Sequence, residues 1–261
     1  MNKFITRRTA IKNTAALTGA LALGEISVAE AADEGPTEAQ LKDLARIKTF
    51  LEGNQAVKWV FAGDSITHGA RHLNGWRDYP QLFEERLRYE MGKERNLVIR
   101  TATSGWTIER LSQDLEWRVL QFAPHVASFH FGMNDCPAGT DALPRFREQY
   151  TAVVKTVRDS CGSAILIHTP NPVLPNSETR RAPYIDAYVA AIREIAAETK
   201  AVLVDHYAAF AEYSQSSQIY YLMNDPLHPN AYGHRFKAQL LLKALGMYDP
   251  ESAVCRLFIP R

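Results

Sequence analysis

From Val57 onward the chain alternates short apolar runs with longer amphipathic stretches. Val57 to Ala62, Leu97 to Ala102, His125 to Phe131, Ala164 to His168 and Val202 to Asp205 read as five strands, mostly apolar throughout, as strands covered on both faces are. Between them, apolar residues recur at helical spacing over Pro80 to Met91, Thr107 to Phe122, Leu143 to Ser160 and Pro183 to Thr199, and a last helix is expected from Asn230 to Leu245. Ahead of the first strand, Thr37 to Glu52 places Leu41, Leu44, Ile47 and Leu51 on one helix face, with Thr37 and Gln40 offering a capping box. Strand and helix in alternation predict an α/β fold: a doubly wound parallel sheet with right-handed crossovers and a ligand site at the carboxyl ends of its strands. Two longer irregular stretches, His68 to Tyr79 and Thr169 to Ala182, follow strand ends and are expected over that edge. Internal repeats are absent from the sequence.

Composition narrows the classes. The 261 residues are 46% hydrophobic and 23% charged, enough apolar material for one full core and too much for a disordered chain. With a net charge of +1 there is no general attraction for nucleic acid or an anionic membrane. Near the N-terminus an apolar run from Ala15 to Leu23 follows Thr6-Arg7-Arg8-Thr9-Ala10-Ile11-Lys12 and precedes Ala29-Glu30-Ala31, a small-x-small cleavage signal. The run is about half the length of a membrane-spanning helix. The three-part layout resembles a twin-arginine export signal, which implies a periplasmic or secreted protein beginning at Ala32, without stable membrane insertion. Its loss removes four basic and two acidic residues, and the charge becomes −1. The expected organisation is a signal peptide over 1–31, an N-terminal helical segment over 32–56, the catalytic domain over 57–247 and a tail over 248–261. Cys136, Cys161 and Cys255 are too few and too far apart for a metal ribbon or a disulfide framework; they read as buried small hydrophobes or one incidental disulfide.

The first strand runs into Gly63-Asp64-Ser65-Ile66-Thr67, which sets a serine on the turn at a strand's carboxyl end, where a nucleophile belongs. By itself Ser65 would also suit a helix N-cap. A serine needs a histidine base oriented by a third group, and Asp225-Pro226-Leu227-His228-Pro229-Asn230 offers one: three residues of separation on a stiff turn let the carboxylate reach the ring. Strand two ends in Ser104-Gly105-Trp106-Thr107 and strand three in Gly132-Met133-Asn134-Asp135. A glycine amide and an asparagine side chain at neighbouring strand ends are the neutral donors that a tetrahedral oxyanion requires.

These four ordered blocks, GDSIT, SGWT, GMND and DPLHPN, resemble those of the SGNH hydrolases, the GDSL esterase and lipase family, over roughly Val57 to Leu245. The resemblance implies a three-layer, flavodoxin-like five-stranded parallel sheet and a serine esterase working through an acyl-enzyme. It implies Ser65 as nucleophile, His228 as general base and then acid, Asp225 as its orienting partner, and an oxyanion hole from the amides of Ser65 and Gly105 with the side chain of Asn134. Cofactor and metal are not required by that chemistry. The glycine block departs from the family pattern, with Arg100 and Ala102 where asparagine and an earlier glycine are usual and Trp106 where a small or acidic residue is common, so the pocket wall is expected to differ. Ile66 replaces the leucine of the family name at similar volume.

Other residues were weighed against simpler roles. Asp64 and Asp135 could ligate a metal, but without an Asp-x-His or Gly-Asn-His they are expected to bond turn amides. His130 is expected buried and hydrogen-bonded, His234 on a helix surface. Trp76, Trp106, Arg71 and Arg180 are the candidate substrate-binding residues, since aromatic faces stack on sugar rings and arginines hold anions; Tyr79, His72 and Arg181 lie beside them, and Trp76 and Tyr79 could equally pack as core. The expected substrate is a small-molecule or polysaccharide ester, first an O-acetyl or short acyl group on a carbohydrate. A lipid, thioester or aryl ester within the same chemistry, and an inactive carbohydrate-binding protein on this scaffold, are the alternatives.

Overall fold

A computed structural model describes residues 41–175, 180–215 and 218–260. The export signal and the Thr37–Gln40 capping box lie outside the described residues. Five parallel strands, β1 (Lys58–Gly63), β2 (Leu97–Arg100), β3 (Val126–His130), β4 (Ala164–His168) and β5 (Val202–Val204), form one sheet in the order β2-β1-β3-β4-β5. In this order the chain reverses direction of winding between β1 and β3, and a doubly wound sheet opens its ligand crevice at that switch point.

Alternate residues of each strand serve two cores, which is why the strands read as unbroken apolar runs. Val60, Ala62, Ala127, Phe129, Ile165 and Ile167 face one side, packed with residues of α4 (Ile108–Gln113), α6 (Leu143–Cys161) and α7 (Ile185–Thr199). Trp59, Phe61, Val126, Leu166, Val202 and Val204 face the other, against α1 (Leu41–Glu52), α3 (Tyr79–Glu84, continued as a π-helical stretch to Glu90) and α9 (Ala231–Ala244).

The helix expected over Thr107 to Phe122 is three pieces: α4, α5 (Leu115–Arg118) and a 3-10 turn at Leu120–Phe122. Asp114 leaves helical geometry and accepts from Arg118 Nε, and Val119 breaks it again as its side chain enters the core. Two short helices escape the periodicity: a single turn α2 (Ser65–His68), and α8 (His206–Gln215) after β5. None of the three cysteines forms a disulfide, and Cys136 and Cys255 are buried. Residues of the tail, Val254 and Cys255, are part of the second core. No helix among the described residues is long and apolar enough to cross a membrane.

Candidate active site

Ser65 opens α2 directly after β1. Gly63 is required there because a Cβ would meet Thr67 Oγ1 at 2.5 Å and the His130 carbonyl at 3.0 Å. Asp64 caps the turn, its carboxylate accepting from Ile66 N at 2.9 Å. Ser65 is 6% exposed, and its Oγ is 2.8 Å from His228 Nε2. His228 Nδ1 faces Asp225 at 2.9 and 2.8 Å from the two carboxylate oxygens, and the amides of Leu227 and His228 both donate to Asp225 Oδ1 at 2.9 Å. Burial pushes the Asp225 carboxyl up, but those two amides and the imidazole outweigh it and hold it below the usual carboxylate range. Burial also dominates at His228 and lowers its proton affinity despite Asp225, so the ring stays neutral into mild acid. Hydroxyl, imidazole and carboxylate in this line can draw the serine proton onto Nε2 while the carboxylate fixes the tautomer.

The donors expected from β2 and β3 reach the same edge. Trp106 N bonds Thr103 O at 3.2 Å, closing a four-residue turn whose third position, Gly105, has φ +78°, a conformation that favours glycine. Asn134 is held at both ends of its amide: Nδ2 donates to Trp106 O at 3.1 Å, and Oδ1 lies 3.3 Å from Arg181 Nη2, whose Nε donates to Met133 O at 2.8 Å. Asp135 ties the two loops together, accepting from Ile108 N and Gly132 N at 2.9 Å each. Both aspartates weighed as metal ligands therefore bond backbone amides. Burial raises Asp64 to about 7 and Asp135 to about 6.

Trp76, one of the substrate-binding candidates, opens into a cavity. It is 62% exposed and lines a hollow of about 600 Å³ with His68, Asp78, Gln81, Arg100 and Ala102. Ser65 does not line the hollow; Thr67 and His68 of α2 do, and His68 Nδ1 lies 3.1 Å from Ser104 Oγ. Arg100 and Ala102, the departures noted in the sequence, form its wall. Trp106 is instead partly buried under Arg118, 4.5 Å from its ring. Arg71 and Arg180 are exposed, and the arginine that enters the site is Arg181. Tyr79 is core.

His234 corrects the expectation of a surface residue: it is buried and accepts from Tyr79 N at 3.1 Å. Its place was readable, since it continues the stripe Lys237, Ala238, Leu241, Leu242 at helical spacing. It belongs to a polar cluster beneath the nucleophile turn. His130 Nε2 donates to Thr169 O at 3.1 Å, so its Nδ1 accepts from Thr67 Oγ1 at 3.0 Å, and Thr67 in turn accepts from Tyr79 OH at 3.0 Å. His168 lies 2.8 Å from Ser128 Oγ and 3.0 Å from His206 Nε2. Burial lowers all four histidines, His168 and His234 to about 3, and lowers Lys237, whose buried Nζ has no hydrogen-bond partner.

His72, in the loop beside the site, stacks on His228 with ring centroids 3.5 Å apart and 9° between planes. His72, Asp225 and His228 are the group among the described residues whose ligand atoms, within 4.8 Å of one another, could be considered for a metal. His228 Nδ1 carries the proton that Asp225 accepts, and Asp225 also accepts from two backbone amides, so in the triad arrangement this group does not offer an ion three free ligand atoms.

A model of the GDSL-like lipase/acylhydrolase family matches residues 61–236. An acetylxylan esterase of Geobacillus stearothermophilus is 27% identical over 206 residues, 72% of this chain and 94% of that protein. Among solved structures, LAE5, an alpha/beta hydrolase enzyme from the metagenome of Lake Arreo, is 26% identical with a TM-score of 0.63, covering 74% of this chain and 98% of its own. A GDSL-like lipase fold from Parabacteroides merdae, 20% identical, superposes with a TM-score of 0.66 over 74% of this chain and 97% of its own. With a serine, histidine and aspartate in hydrogen-bonding line inside the matched segment, this chain is a carboxylic ester hydrolase and belongs to the GDSL-like lipase/acylhydrolase family.

Proposed function

We propose that the protein is an exported carbohydrate esterase that removes acetyl or other short acyl groups through an acyl-enzyme on Ser65. The observation that carries the chemistry is the 2.8 Å contact between Ser65 Oγ and His228 Nε2, backed by Asp225 on the opposite nitrogen. Ser65 Oγ attacks the ester carbonyl as its proton moves to Nε2. The resulting oxyanion meets the amides of Ser65 and Gly105 and the Asn134 side chain. Collapse expels the alcohol, which takes the proton from His228; a water activated by the same ring then frees the acid and restores Ser65.

The carbohydrate reading is supported by the acetylxylan esterase relative and by the hollow beside α2. There an indole face, the Arg100–Asp78 ion pair and the Gln81 side chain offer the mix of flat apolar surface and planar polar groups that a sugar ring uses. Export is supported by the layout of residues 1–31, and recovery of a chain beginning at Ala32 from the cell exterior or periplasm tests it. For the reaction, turnover of acetylated xylo-oligosaccharides, long-acyl esters and an aryl acetate is compared for the wild type and Ser65→Ala. Loss of all turnover in Ser65→Ala is expected; equal rates would sink the acyl-enzyme. Preference for the long-acyl esters would move the protein to the lipases.

A further inference from the structure

The reaction as written makes no use of His72. It sits on the 3-10 turn Ala70–Leu73, which is pinned by the buried side chain of Leu73, by His72 N to Gly69 O at 3.1 Å and by Trp76 N to Leu73 O at 2.9 Å. Gly69, at φ +67°, packs so closely that a Cβ would meet Asp78 and Leu73 at 2.8 Å. A rigid turn therefore presents the ring to the base. His72 Nδ1 is 3.4 Å from Asp225 Oδ2, the same oxygen that lies 2.8 Å from His228 Nδ1. One carboxylate oxygen is shared between two parallel imidazoles.

We propose that His72 is a positioning residue of this esterase: stacked face to face on His228 and paired to the same carboxylate, it keeps the base aligned with Ser65 and weakens the hold of Asp225 on the protonated ring. The assignment rests on Ser65, His228 and Asp225 being the reacting set. The charges that act on His228 come from Asp225 on its own turn, His72 on the turn after α2 and Arg181 in the loop after β4, with His234 of α9 near enough to be influenced by it. Of these only Asp225 favours the imidazolium. A proton on His72 repels one on His228, and a neutral His72 that occupies Oδ2 leaves less of the carboxylate for His228. Both effects favour the neutral, base-competent ring, so removing His72 shifts the acid limb of activity to higher pH.

His72→Phe keeps a flat ring for stacking but loses Nδ1, whereas His72→Ala loses both. Aryl acetate turnover across pH is measured for both, with Ser65→Ala alongside. In both variants the acid limb of kcat/KM is expected at higher pH than in the wild type. In His72→Ala, kcat should also fall by about tenfold or more with KM little changed, because the ring is free to leave the line to Ser65. The proton affinity of His228, read from its ring resonance in His72→Phe, is expected to rise and needs no turnover to be measured. An unmoved limb and resonance, or a raised KM at unchanged kcat, would overturn the role of His72 while leaving the triad standing if Ser65→Ala is inert. Turnover persisting in Ser65→Ala would overturn both.

Discussion

Gly105 and Asn134 show how little freedom single residues have at this edge. Gly105 holds φ +78° with open space around its absent Cβ, so its constraint is conformational: Gly105→Ala strains the turn and re-aims its amide rather than causing a clash. Asn134 is oriented by Arg181 on its oxygen and by the Trp106 carbonyl on its nitrogen. Asn134→Ala should therefore lower kcat on an aryl acetate by about 10²–10³-fold with KM nearly constant, the loss expected of a donor that strengthens only in the transition state. A fall confined to KM would assign the side chain to substrate binding instead. Because burial keeps His228 neutral, kcat/KM should hold as pH falls to 6.5 and decline below it; a decline that begins above 6.5 would contradict the direction of that shift.

Among the elements, Asp78 joins local and tertiary order at the start of α3. Its carboxylate accepts from Gln81 N at 2.8 Å while Gln81 returns a bond from Asp78 N, and its other oxygen pairs with Arg100 at 2.6 Å on β2. Asp78→Ala should cost about 1–2 kcal/mol in a denaturant titration through the lost cap, and Asp78→Asn, which keeps the acceptor, clearly less. Equal losses would make the ion pair with Arg100 the larger contribution. The strands and long helices were legible from the sequence because burial on both sheet faces gives unbroken apolar runs and burial on one helix face gives the 3.6 period. Ser65 and the Asp225–His228 turn were legible because each stands at a strand end or a stiffened turn and carries a specific chemical type. The break at Asp114 and Val119 was not, since it answers to the shape of the core rather than to local preference. His72 and Arg181 could be placed beside the site from the sequence but not given partners, for a related reason: those partners are 156 and 47 residues away, and loop residues carry no period to betray which way they face.

For the whole molecule, the buried histidines govern the response to acid. His130, His168, His206 and His234 bind protons less readily folded than unfolded, so below about 6.5 the unfolded chain gains protons that the folded one refuses, and stability falls. Asp64 and Asp135 act oppositely, holding protons in the fold from about 7 and 6 down to the ordinary carboxylate value, and Asp78 is raised in the same sense. The histidines, joined by His228, outnumber these carboxyls. Stability should drop by about 1–3 kcal/mol per pH unit between pH 6 and 5, read from urea midpoints; a flat response would mean that the histidines accept protons in place. Lys237→Met removes a buried amine whose Nζ has no hydrogen-bond partner, only the faces of Tyr79 and Phe210, and should raise the midpoint at pH 7 by the equivalent of about 1–3 kcal/mol. A lower midpoint would show that Nζ contributes more than its burial costs. Ser65 and His228 are 163 residues apart, the first supplied by the opening strand and the second by the turn before α9. A chain interrupted between Val204 and Asp225 retains every strand of the sheet yet has no base, so ester turnover reports completion: it cannot begin until the last turn has docked, and it should vanish at the same midpoint as the global unfolding signal.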